Sequence, residues 1–302
     1  MKKSLIALAV LAASGTAFAQ STVTLYGVVD AGITKGADSK TTFTGGGING
    51  TSRLGVKGTE DLGGGLSAVF QIETGLNSGK EAASSLGDRG AFVGLAGAFG
   101  TVTLGSSVLT PSFYARAATD PSTTNNYSLV KYAGAARLDN SINYTSPNFA
   151  GITVRASMVQ KDDNATVGKG ATDISVVYAN GPLTLAASGS DNGFDSGSFI
   201  GAAYDFGMAK VFVNSVDAAA TATTMPGVTT AAAAAKFTGY GISAPFGAWT
   251  LQADFRQTKD ADADAYVLSA QYALSKRTSI TTYTSKVQAA KSVFGAGVRH
   301  NF

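Results

Sequence analysis

The feature that most constrains this chain is an alternation of apolar and strongly polar side chains in segments of eight to ten residues, with no long apolar run anywhere beyond the first twenty positions. The stretch SRLGVKGTEDLGGGLSAVFQIE, Ser52 to Glu73, shows it. Leu54 and Val56 share one parity, and Arg53 and Lys57 the other. After a Gly-rich break, Leu66, Ala68, Phe70 and Ile72 oppose Ser67, Gln71 and Glu73. Successive side chains on a β-strand point to opposite faces, so a period of two makes one greasy face and one charged face. Two structures satisfy that pattern. One is a half-buried sheet on a soluble core, and the other is a barrel wall with lipid outside and water inside.

The pattern recurs in STVTLYGVVDAGI, where Val23, Leu25, Val29 and Ala31 oppose Thr24, Tyr26 and Asp30. It recurs in RLDNSINYTS, in GITVRASMVQ with Arg155 and Ser157 on the polar side, and in WTLQADFRQ. The connectors alternate in length. TEDLGGG, AGAFG, SPNFAG, NGP, DFGMA, PFGA and LSKR are short. Residues 34–50, 77–87, 107–136, 161–171, 190–197, 217–235, 258–264 and 286–291 are the longer connections. Tight turns at one end and long loops at the other are what an outer-membrane barrel requires, and these connectors join 16 strands. Two segments break the pattern: RGAFVGLAG is apolar on both parities and is expected to be covered by protein on its outer face, and TSITTYTS is polar on both.

Composition chooses between the alternatives. Charged residues are 14% of the chain, against roughly 25% in soluble domains. No run of about 18 apolar residues makes a membrane helix, whereas a membrane strand needs an apolar residue only at every second position. Lys2 and Lys3, an apolar run from Leu5 to Ala13 and the sequence AFAQ form an export signal, residues 1–19, with cleavage expected between Ala19 and Gln20. Residues 20–302 then form one barrel domain. Without Lys2 and Lys3 the 23 basic residues become 21, against 20 acidic, a balance that argues against nucleic acid as a partner. There is no cysteine, so no disulfide framework holds the exported chain.

Several motifs carry less than they suggest. Gly45, Gly47 and Gly50 fit a dinucleotide fingerprint, but no strand-to-helix unit follows, and a flexible external loop is expected. Asp260, Asp262 and Asp264 have calcium-loop spacing, yet Ala265 and Gln271 stand where Gly and Glu are needed. AAAAAK at 231–236 is expected to be mostly disordered within its long loop. The single histidine, His300, lies on an apolar parity, so neither a His-based triad nor a His-ligated metal is expected, and no cofactor, metal or catalytic residue is assigned.

STVTLYGVVDAG, SRLGVKGTEDLGGGLSAVFQIE, DRGAFVGLAGAFGTVTLG, YTSPNFAGI and the terminal GVRHNF together resemble the trimeric general porins of β-proteobacteria, over essentially the whole exported chain. The resemblance implies an all-β fold, a 16-stranded antiparallel transmembrane β-barrel with an inward-folded third loop, here 107–136. It implies a homotrimer in outer-membrane lipid and lipopolysaccharide, passing small hydrophilic solutes. In related anion-preferring porins, wall arginines face an acidic or polar inserted loop. The matching wall positions are Arg53, Arg89 and Arg137, with Glu73 as the wall acid and Lys57 at a further basic position. Arg53, Lys57 and Arg137 also lie on the polar parity of their own strands. Asp120, the acid of TPSFYARAATDPSTTNNYS, is expected opposite the arginines, although the loop lacks the Pro-Glu-Phe-Gly-Gly sequence of enteric porins. The terminal Phe302 is expected to be read by the outer-membrane assembly machinery.

The resulting expectation is an outer-membrane diffusion porin with a modest preference for anions. The rivals are an outer-membrane barrel enzyme with a catalytic cluster at its rim, and a secreted all-β adhesin without a pore.

Overall fold

The computed structural model describes residues 21–36, 40–76, 85–122, 125–129, 134–161, 170–191, 196–218, 223–225, 228–230, 235–259, 263–288 and 290–302. Sixteen antiparallel strands make the wall: β1 Thr22–Gly36, β2 Arg53–Gly63, β3 Leu66–Gly75, β4 Gly90–Gly97, β5 Gly100–Ser106, β6 Ser141–Thr145, β7 Ile152–Val159 and β8 Ala171–Asn180 in the first half. The second half is β9 Leu183–Asp191, β10 Ser196–Asp205, β11 Lys210–Ala218, β12 Ala235–Phe246, β13 Trp249–Thr258, β14 Ala265–Ala273, β15 Thr278–Val287 and β16 Val293–Asn301. Each strand pairs with its chain neighbours. β16 closes on β1, with Val28 opposite Asn301 and Gly36 opposite Val293. Closure removes both edges, which hydrocarbon would not hydrogen-bond.

The side chains sort by parity as the sequence pattern required. On β1, Val23 is 68% exposed and Leu25 63%, while Val28 is 5% and Asp30 0% exposed. Trp249, Leu251 and Phe255 are exposed on β13, and Asp254 between them is buried. Exposed large apolar residues circle the barrel on one face only. Such a surface is stable in lipid and is an aggregation liability in water.

Strand β1 is accompanied by a short strand, Thr42–Thr44, which folds back along Gly32–Thr34. RLDNSINYTS is not one strand. Arg137–Leu138 pairs with Val108–Leu109, and β6 begins only at Ser141, after Asn140 at φ 49°. The Asp139 carboxylate makes the break by accepting from the Ser106 and Ser107 hydroxyls and from the Ser107 N–H at 2.8 to 3.0 Å. Among the described residues nothing supplies the protein cover expected on the outside of RGAFVGLAG, where Val93 and Leu95 are exposed. Its second apolar face is explained from within: Phe92 faces the bore and lines a cavity with Val108, Leu109, Pro111 and Tyr114.

The same segment carries a helix, α1, Pro111–Thr119. Thr110 caps it by accepting from the Phe113 N–H at 3.1 Å, and Pro111 occupies the first turn, where its missing N–H costs nothing. Asp120 ends it, its N–H donating to the Arg116 carbonyl, and Pro121 follows. Asp173 of β8 takes the Ser112 N–H and hydroxyl at 2.8 and 2.9 Å, placing a carboxylate at the positive end of the helix. Ala115 joins one buried cluster with bore-facing Val177, Ala186, Phe199, Ala203, Phe212, Val216 and Phe237. These aromatics break the polar-inside rule because they are buried in a cluster that α1 joins, rather than facing open water.

Residues 231–234, Asp260 and Asp262 lie outside the described residues. Asp264 accepts the Thr258 N–H at 2.8 Å, closing the turn between β13 and β14.

Candidate pore constriction

Glu73 is the hub of the site. It points into the bore from β3, opposite Gly55 of β2, and is buried. Arg53 Nε lies 3.6 Å from its Oε2, Arg89 Nε donates to its Oε1 at 2.9 Å, and an Arg137 terminal nitrogen lies 3.8 Å from Oε1. The Tyr26 hydroxyl donates to Oε2 at 2.9 Å. Three guanidinium groups therefore share one carboxylate, leaving an excess of two positive charges. The arginine side chains remain 21% to 25% exposed, so they still face water. Each comes from a different element, and backbone carbonyls fix two of them: Arg53 donates to Thr51 and Arg137 to Ser107. Arg89 precedes β4 and is drawn in through its N–H bond to the Glu73 carbonyl at 3.1 Å.

Two expected members stand elsewhere. Lys57 pairs across with Gln71, one bore-facing step from Glu73 toward the short turn, and its ammonium lies 5.4 Å from the Tyr26 ring centroid. Asp120 departs from the expectation of facing the wall arginines. Its side chain is fully buried, 3.4 Å from Arg116 and accepting from the Ser122 N–H and hydroxyl at 2.8 and 2.7 Å. Helix capping and Pro121 turn it into its own segment, so it does not line a water path.

Sequence reasoning missed the latch that holds this segment. GGGING is not a flexible external loop. Gly45 and residues 47–50 are buried. The Asp30 carboxylate takes the Ile48 N–H at 2.7 Å and the Asn49 N–H at 2.9 Å, and Ser52 bridges to the Asp30 backbone. Gly47 is at φ +100°, and a Cβ there would stand 2.1 Å from the Gly50 carbonyl, which explains the glycines. Asn126 of the α1 segment hydrogen-bonds the Gly47 and Ile48 carbonyls through its amide side chain and its N–H. Tyr127 stacks on Tyr283 with ring centroids 4.5 Å apart. The only advance signal was the unexplained acid Asp30 on a bore-facing parity.

Burial raises the Tyr127 hydroxyl pKa from 10.0 to about 12. The docked segment favours the neutral phenol, so this part of the docking is complete below pH 10 and is lost as pH rises through about 12. An alkaline step in single-channel conductance is expected over that window. Tyr127→Phe should remove the share of the step that the phenolate causes; an unchanged step in Tyr127→Phe would exclude the group.

A family model described as Gram-negative porin matches residues 5–288. The chain belongs to the Gram-negative porin family. The porin is 37% identical to outer membrane porin protein 32 of Delftia acidovorans over 241 residues, covering 70% of this chain and 68% of that one. It is 31% identical to an outer membrane porin protein of Bordetella pertussis, with 100% of both chains covered. Its structure superposes on an anion-selective porin from Comamonas acidovorans with a TM-score of 0.71 at 27% identity, covering 94% of this chain and 100% of that one. It is thus an outer-membrane porin, a channel protein for general diffusion, and the family is one of channels rather than enzymes.

Proposed function

We propose that this porin passes small hydrophilic solutes with a modest preference for anions, set by Arg53, Arg89 and Arg137 around Glu73. The observation that carries the reading is the unequal count at that cluster, three guanidinium groups to one carboxylate. In water a unit charge about 5 Å from a passing ion is worth about 0.8 kcal/mol, and about 3 kcal/mol where the effective dielectric falls to about 20. Low-dielectric walls favour the larger figure. Net charge over the whole chain is irrelevant beside this local field. The similar structure from Comamonas acidovorans, which is described as anion-selective, supports the sign.

In this reading segment 107–136 is the inserted loop that narrows the bore, a role supported by the packing of α1 on bore-facing residues. Lys57 extends the basic wall below the cluster, and Asp120 acts only on the fold of the segment. Residues 1–19 direct export and are then removed by cleavage after Ala19. Phe302 completes the β1–β16 seam, exchanging backbone hydrogen bonds with Gly27 at 3.0 and 3.1 Å, and serves as the mark for the assembly machinery. The assembled form is a homotrimer in lipid and lipopolysaccharide.

Reversal potential across a planar bilayer under a KCl gradient tests the reading. Zero-current voltage of the sign set by chloride is expected, and it should shrink as salt shortens the Debye length from about 30 Å at 0.01 M to about 3 Å at 1 M. A potential of the sign set by potassium would refute it.

A further inference from the structure

We propose that the bore holds a second anion site, built on Arg155 with Lys57 and suited to small aromatic carboxylates. It rests on the reading of the chain as an open pore, but not on the ion preference of the Glu73 cluster. A cavity of about 450 Å3 lies between the α1 segment and the wall of β1 to β7. Its lining includes Arg155, Lys57, Tyr114, Phe92, Asn143 and Ser157 and, among the described residues, no carboxylate. Lys57 lies two residues nearer the short β2–β3 turn than Gly55, which faces Glu73, so the cavity is offset from the constriction toward the short turns.

Arg155 differs from the other arginines of the bore. Arg53, Arg89 and Arg137 share Glu73, Arg116 holds Asp120, Arg299 donates to the Asn49 carbonyl, and Arg256 donates to the Ala263 carbonyl. Among the described residues the Arg155 side chain has neither a hydrogen bond nor an ion pair; its guanidinium carbon lies over the Tyr114 ring, 4.5 Å from the centroid. The ring contact takes none of the guanidinium N–H groups in a hydrogen bond, so its N–H fork is unused. That fork matches a carboxylate with two parallel bonds. Lys57 contributes a second positive charge, its contact being the Tyr26 ring. Phe92, Val108 and Pro111 supply apolar contact beside the charges, which a flat aromatic body fills and a hydrated phosphate does not. The parity of Arg155 was visible in GITVRASMVQ; its lack of a partner was not.

The test is block of chloride current by benzoate, using the full exported protein in planar bilayers. Benzoate should reduce the current saturably, and more strongly when added from the short-turn side. Arg155→Gln should raise the half-blocking concentration about tenfold or more, the loss of roughly one charge-assisted bond. Arg155→Lys should recover only part, because it restores the charge without the fork, and Tyr114→Leu should weaken block several-fold. Heat-modifiable gel migration reports whether each variant forms a barrel, and Tyr114→Leu carries the test if Arg155→Gln does not. Equal block in parent and variants would overturn the proposal. So would block by neutral benzamide equal to that by benzoate, or by inorganic phosphate with the same dependence on Arg155. Arg155-dependent benzoate block in a porin lacking chloride preference would leave this site standing and remove the constriction reading instead.

Discussion

Replacing Arg53 and Arg137 together by alanine should abolish most of the anion preference, cutting the chloride-to-potassium permeability ratio by about threefold to tenfold at low salt. The double variant leaves Arg89 against Glu73, a pair that is neutral overall and separated by 2.9 Å. Glu73→Gln should act in the opposite direction, raising the chloride preference, because it leaves three guanidinium groups without their shared carboxylate. The opposite signs matter, since a merely widened bore would weaken selectivity in both variants. Reversal potentials under a KCl gradient report each case. If the double alanine variant keeps the parent's ratio, these arginines do not set selectivity.

Gly32→Val should eject the latch and loosen the α1 segment, with a larger and noisier single-channel conductance and a lower temperature of barrel unfolding. Gly32 and Gly297 face each other across the β1–β16 seam, and Ile48 seats on both. A Cβ on Gly32 would stand 2.3 Å from the Ala296 carbonyl and 2.5 Å from Ile48 Cγ1; backbone on one side leaves only Ile48 free to move. Ile48 is 1% exposed and packs with Tyr127, Leu129 and Tyr283, so its loss uncouples Asn126 and Tyr127 from the wall. Ile48→Gly reaches the same state without touching the seam and should cost at least the roughly 2 to 5 kcal/mol of a core isoleucine truncated to alanine. If both variants conduct and unfold as the parent does, the latch does not hold the segment.

Both predictions concern residues that the sequence presented unequally. Arg53 was legible because a period of two puts every second side chain in the bore, and Arg155 met the same criterion; Arg137 was singled out by a parity that the break at Asn140 interrupts, and its place near Glu73 comes from the short strand it forms with Val108–Leu109. Glu73 was legible by parity too, but its sharing among three arginines was not, since Arg89 reaches it from a turn. RGAFVGLAG and the inward Phe199, Phe212 and Phe237 looked like exceptions to the pattern. They are the places where a second layer of protein, remote in sequence, covers the wall. GGGING misled because glycine-rich composition suits a mobile loop as well as a tightly bonded one; Asp30, 18 residues from Ile48, decides between them.

Sequence alone therefore determined the barrel, its strand count and which side chains meet lipid or water, because pleat and hydrogen-bond closure are local rules repeated along the chain. Only the tertiary structure decided which remote segments pack on the wall, which charges are paired there and which remain free. Those outcomes depend on contacts between residues 18 to more than 100 positions apart, such as Asp30 with Ile48 and Arg256 with Leu129, for which no periodicity exists. Position in the wall follows from parity, whereas partnership follows from closing the ring and packing remote segments against it.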